Sequence, residues 1–114
     1  MNLTGRYCID SIDGHSSGSP RIEFAEDGAV FGKVVNNFRG QWSVEADELT
    51  VSPLAATLMM GLPEPMEHER RLMEVLGAPL RVARGMAGED DVVTLSDGQH
   101  TIVLRREPMQ SGAD

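Results

Sequence analysis

The chain is poor in several things that would have pointed to a function. Of its 114 residues one is a cysteine, Cys8, so no disulfide can close within it. That excludes a disulfide-stapled secreted scaffold and suits a reducing compartment. Its single lysine, Lys33, and nine arginines stand against 18 Asp and Glu, for a net charge of −8. Nucleic-acid binding needs a basic footprint that displaces counterions, and a polybasic membrane anchor needs a cluster of like kind. The sequence has neither. No run of about 18 apolar residues occurs, so no transmembrane helix is expected. The opening stretch, Met1-Asn2-Leu3-Thr4-Gly5-Arg6-Tyr7, lacks the apolar run of a signal peptide. The expectation is therefore a cytoplasmic or intracellular protein, or an envelope protein if a leader was removed. Aromatic residues are scarce at 4%, so aliphatic side chains must build most of the core.

What is present reads as one β-rich domain. Apolar and polar residues alternate in residues 21–24, 41–45 and 48–52, the period of half-buried strands. Residues 7–12, 29–35, 80–83, 92–95 and 101–104 are further strand candidates, with another over 56–60. Glu26-Asp27-Gly28 and Ser96-Asp97-Gly98 separate strand pairs as hairpin turns do, because glycine supplies a positive φ at little cost. Residues 36–40 (Asn36-Asn37-Phe38-Arg39-Gly40) read as a turn or bulge, and residues 85–91 as a loop. One helix is expected over residues 65–76, with proline in its first turn, Gly77 as its stop and an apolar stripe of Met66, Leu72, Met73 and Leu76. Short strands at about ten-residue spacing with a single helix argue for an α+β, β-rich fold. It would be an antiparallel sheet curled into a small or open barrel with one packed helix. The domain is expected over residues 3–106, followed by a frayed tail over 107–114.

Each piece of candidate chemistry has a plainer reading. Gly14-His15-Ser16-Ser17-Gly18 matches the Gly-x-Ser-x-Gly nucleophile elbow, but that motif works only where a strand turns into a helix on a large parallel sheet. Here Ser19-Pro20 and another strand follow, so a Ser/Gly loop is expected. Glu64, Glu67, His68 and Glu69 could be read as metal ligands, yet one histidine among carboxylates within a helical turn defines no geometry. The favoured reading is a solvated acidic face. Residues 28–33 lack the spacing of a phosphate loop. Cys8 lies in a strand and is read as packing rather than as a nucleophile. The seven methionines, among them Met59, Met60, Met66 and Met73 about the helix, suit a core, with an adaptable apolar groove as the other reading. No catalytic, cofactor-binding or metal-ligating set is nominated.

The order of the motifs is more specific than any one of them. Val35-Asn36-Asn37-Phe38-Arg39-Gly40 resembles the Cys-Asn-x-Phe-x-Gly element of the META domain family, which includes HslJ-like heat-shock proteins. Thr57-Leu58-Met59-Met60-Gly61 is similar to that family's Thr-x-Met-Ala-Cys element, and Glu69, Leu72 and Leu76 match its helix. Val35 and Gly61 stand where the family has cysteines. In this the chain looks more like the short META proteins of kinetoplastid parasites, which are associated with virulence. The resemblance implies a barrel-like fold with a helix, no enzymatic activity, no cofactor, and structural roles for Asn36, Phe38, Gly40, Thr57, Glu69, Leu72 and Leu76. Asn36 would bond the backbone of a turn, Phe38 would pack, Gly40 would permit the conformation or a close approach, and Thr57 would satisfy a neighbouring backbone group. It leads to an expected non-enzymatic stress- or virulence-associated module with a protein partner, or else a carrier of an apolar, lipid-like ligand.

Overall fold

The structure is a computed structural model that describes residues 3–16, 20–57, 61–88 and 90–107. Nine strands and one helix follow one another as β1 (Gly5–Ile12), β2 (Arg21–Phe24), β3 (Ala29–Lys33), β4 (Asn37–Glu45), β5 (Glu48–Val51), β6 (Ala55–Ala56), α1 (Pro63–Leu76), β7 (Leu80–Ala87), β8 (Asp90–Ser96) and β9 (Thr101–Arg106). The sheet order is β3-β2-β1-β9-β8-β7-β5-β4-β6, and an added β3–β4 pairing joins its ends. Eight antiparallel strands thus close into a barrel, with β6 as a short extra strand beside the start of β4.

Alternation explains the wall. In β2 the pattern Arg21-Ile22-Glu23-Phe24 turns Ile22 and Phe24 inward, and in β9 Ile102 and Leu104 do the same. With Leu3, Tyr7, Ile9, Ile12, Val30, Phe38, Leu49, Leu80, Val82, Val93 and Leu95 they fill the barrel axis. Tyr7, Phe24 and Trp42 meet edge to face, at centroid separations of 5.9 and 5.5 Å, the arrangement that ring quadrupoles favour. The scarcity of aromatics is offset by placing these three together.

Both glycine turns form. Gly28, at φ 92°, closes β2–β3, where the Asp27 carboxylate accepts the Ala29 N–H; Gly98, also at φ 92°, closes β8–β9, where Asp97 accepts from Gln99 and His100. Residues 46–47 link β4 to β5 as expected, with Ala46 held at φ 58°.

Five expectations are corrected. The turn placed at residues 36–40 is a bend over residues 34–36, and Asn37 already opens β4, because Asn37, Phe38, Arg39 and Gly40 pair with Lys33, Gly32, Phe31 and Val30. Residues 85–91 are no loop: β7 runs on to Ala87, and Gly85↔Val92, Met86↔Asp91 and Ala87↔Asp90 extend the hairpin to a turn at Gly88, φ 66°. Pairing to a partner strand outweighs the weak strand preference of Gly and Ala there. The helix starts two residues early, at Pro63, whose fixed φ suits a first helical position. It ends at Leu76 as expected, but Gly77 stays right-handed at φ −74°. The acidic helix face is not all solvated: His68 and Glu69 are buried beside Leu72, Val75 and Leu76. Met66 and Met73 are only half-buried on it. The strand placed at residues 56–60 is the two-residue β6, Ala55–Ala56, and Thr57 is already outside it; Met59 and Met60 lie outside the described residues, as do Ser17, Gly18 and residues 108–114.

Helix α1 lies at the end of the barrel where β1 finishes, β3 passes into β4 and β9 begins. Arg71 reaches Asp13 just past β1 at 3.5 Å. Asp13 in turn accepts the Thr101 N–H at 2.7 Å and contacts His100 Nδ1 at 2.8 Å. The His100 contact and the Thr101 N–H hold the Asp13 carboxyl below its usual range, and the same Asp13 contact pushes His100 upward.

The left-handed conformation of Ala46 costs about 1–2 kcal/mol for a residue with a Cβ. Ala46→Gly is expected to raise unfolding stability by a net of about 0.5–1 kcal/mol, after the larger chain entropy of glycine is subtracted. Urea denaturation of the two proteins measures the difference.

Candidate functional site

The motif residues meet in a buried cluster between α1 and the β3–β4 bend. Glu69 carries it. Its Oε1 accepts the backbone N–H of Val35 at 2.9 Å and of Asn36 at 2.6 Å, and its Oε2 accepts Asn36 Nδ2 at 2.7 Å. Asn36 Oδ1 accepts the Thr57 hydroxyl at 3.1 Å. Thr57 Oγ1 accepts the Asn37 N–H at 3.1 Å, and the Thr57 N–H donates to the Asn37 carbonyl at 3.0 Å. Glu69 and Asn36 are 7% and 4% exposed, so these bonds replace water almost completely. The Asn36 side chain bonds Glu69 and Thr57, while the backbone of the bend is held by a carboxylate from the helix. A bend lacks a partner strand for its N–H groups, and the carboxylate supplies the acceptor.

The other motif residues surround this cluster. Phe38, Leu72 and Leu76 are buried core. A Cβ on Gly40 would stand 2.7 Å from Leu54 and 3.1 Å from Ser52 Oγ, so close approach, not a positive φ, is what requires glycine there. A Cβ on Gly61 would stand 2.8 Å from Val35 Cγ1. The two positions at which the resemblance implies cysteines are therefore neighbours in space.

The other nominated groups are engaged elsewhere. Cys8 Sγ lies 3.5 Å from the Glu107 carboxylate, and burial followed by that contact pushes the thiol up, away from a reactive thiolate. Glu67 pairs with Arg70 and Arg71, which lowers its carboxyl. His68 is buried with Nε2 unpartnered among the described residues, and burial lowers its pKa. Gly14-His15 closes a narrow turn through the Ile12–His15 bridge, and the next element among the described residues is strand β2. Among the described residues no three or more His, Cys, Asp or Glu gather as metal ligands.

Sequence reasoning missed a groove of about 720 Å³ on the outer wall. Strand register builds it. Across one row of outward side chains stand Arg6, Glu23, Phe31, Arg39 and Ala55, each paired with the next; the adjacent row runs Cys8, Arg21, Lys33 and Asn37. Phe31 is 38% exposed in the middle of the first row. Arg6 pairs with Glu23 at 3.2 Å and Arg21 with Glu107 at 3.2 Å. The residues are far apart in sequence, and only the register between β1, β2, β3, β4 and β6 aligns them. The sequence signal was the exposed phase of each strand, readable only once the pairing is known.

A closed antiparallel barrel with one end covered by a helix, and a latch of Asn, Thr and Glu from three elements, defines the class. The META domain family model matches residues 1–109, and the chain belongs to the META domain family. No curated protein matches it. A protein solved by NMR is similar at 25% identity with a TM-score of 0.71, over 90% of this chain and 88% of that one. A second NMR structure, of a protein from Burkholderia xenovorans, shares the fold at 15% identity and a TM-score of 0.75, over 92% of this chain and 83% of that one. No helix among the described residues is long and apolar enough to cross a membrane.

Glu69→Gln removes an acceptor of charge-assisted bonds and is expected to destabilise the fold by about 2–3 kcal/mol, Asn36→Ala by about 1–3 kcal/mol. Their double mutant should cost less than the sum, since both act on one network; denaturant melts of all three close the cycle. The Val35→Cys, Gly61→Cys pair is expected to cross-link under mild oxidant and raise the melting temperature. Thiol titration and a melt with and without reductant check it.

Proposed function

We propose that this META-domain protein is a non-enzymatic interaction module, stress- or virulence-associated as the family resemblance implies, that holds a protein partner in the groove over β2, β3, β4 and β6. The groove itself carries the reading. It is a wide concavity lined by the exposed Phe31, Ala55 and Ala56, by the edges of the buried Ile22 and Phe38, and by charged residues. Exposed aromatic surface ringed by polar groups is where proteins associate. The engagement of Cys8, Glu67 and Glu69 in other contacts supports a non-catalytic role.

A second reading, a carrier of an apolar ligand, is favoured by the same apolar lining. A ligand along the barrel axis gains no support, because buried side chains fill it. Such a ligand would lie outside the wall, in the groove.

Phe31→Asp tests both readings, with Met86→Asp as the control, since Met86 is 63% exposed on β7 and does not line the groove. Affinity capture from the native cell is expected to recover one recurrent partner with wild type and Met86→Asp, and to lose it with Phe31→Asp. An unchanged partner set with Phe31→Asp overturns the groove as the contact surface. Native mass spectrometry that finds a small apolar molecule on wild type, absent from Phe31→Asp, favours the carrier.

A further inference from the structure

We propose that the segment held in this groove is acidic: an extended stretch of the partner with two carboxylates two residues apart and an apolar side chain beside them. The inference rests on the interaction-module reading and adds the chemistry of the partner.

The first support is the sign of the groove against the sign of the chain. The whole sequence has 10 basic and 18 acidic residues. The groove is lined by Arg6, Arg21, Lys33 and Arg39 against Glu23 and Glu107, four cations to two carboxylates. An overall acidic protein thus presents one locally basic concavity. At physiological salt the screening length is about 8 Å, so a segment seated in the groove feels this local excess of two cations (four less two) more than the distant acidic surface.

The second support is a placement that is unfavourable on its own. Arg21 and Lys33 are directly opposite in the β2–β3 register, and like charges so placed repel. Glu107 lies 3.2 Å from Arg21 and offsets that one charge. Lys33 and Arg39 make no ion pair or side-chain hydrogen bond with any described residue. Both are exposed, and their side chains project on the same side of the wall as Phe31.

The third support is spacing. Phe31 is opposite Arg39, and Lys33 is two residues further along β3, diagonal to Arg39. That diagonal spans about 7–8 Å between Cα atoms. In an extended chain, side chains two residues apart project to the same side at about 7 Å. An acid-x-acid segment therefore sets one carboxylate at Lys33 and one at Arg39. A neighbouring apolar side chain then falls on Phe31 or Ala55.

The test uses a pooled library of labelled extended peptides that alternate Asp or Glu with Leu, Ile, Val or Phe. Matched pools carry Asn and Gln, or Lys, at the acidic positions. Fluorescence anisotropy reads binding at about 0.02 M and about 0.2 M salt. The acidic pool is expected to bind and the lysine pool not. Salt should weaken binding. Lys33→Gln with Arg39→Gln should lower affinity about five- to tenfold, the range for two exposed ion pairs. The melting temperature of that double variant, both of whose sites are solvent-facing, is the folding control. Equal binding of the amide pool, or an unaffected double variant, overturns the inference. So does laurate binding at Phe31 when no peptide binds, or a concentration-dependent dimer that the double variant abolishes. If Phe31→Asp loses its cellular partner but the pools are not discriminated, only the charge inference falls. If Phe31→Asp leaves the partner set unchanged, the groove falls as the contact surface and the charge inference falls with it.

Discussion

The carboxylate of Glu69 holds the structure together at the point where it has least backbone support. A barrel closes by pairing strands, but the bend between β3 and β4 must turn without a partner strand for its N–H groups. Buried, unpaired groups of this kind cost about 1–3 kcal/mol each. Glu69 accepts two of them with one oxygen and the Asn36 amide with the other. The helix is thereby fixed to the bend through one side chain, and its apolar stripe of Leu72, Val75 and Leu76 then has a defined place on the core. Position of the helix, shape of the bend and start of β4 are one problem with one solution.

Much of this architecture was legible in the residues, and the reasons differ by element. Strand β2 and the hairpins at Gly28 and Gly98 were readable because alternation and turn chemistry are local. The length of β7 was not. Gly85, Met86 and Ala87 carry little strand preference, and they are held by β8, which local sequence does not reveal. The helix was legible too, but Met66 and Met73 give it a misleading phase. His68 stands four residues before Leu72, and Glu69 seven before Leu76, so helical spacing alone turns both toward the core. The acidic composition of that turn masks its geometry.

The motif cluster and the groove show two kinds of distance between sequence and structure. Asn36, Thr57 and Glu69 were singled out by family resemblance, and their meeting point explains why residues so far apart travel together: each satisfies polar atoms of the next. The groove has no motif. Its cations are ordinary surface residues in four strands, and nothing local distinguishes Lys33 or Arg39 from Arg81. Register alone makes them neighbours of Phe31.

The closure of the barrel is uneven. Neighbouring strands share four to seven residue pairs at most joints, but β5 and β7 share two, Glu48↔Arg81 and Leu49↔Leu80. The chain leaves β6 and enters β7 across that joint by way of α1. Energetically the molecule is a rolled sheet with one short seam. The helix holds that sheet elsewhere, at Asp13 after β1 and at the β3–β4 bend. Opening is therefore expected to start at the β5–β7 joint, which the helix contacts do not reinforce, leaving the long β7–β8–β9–β1 ladder intact.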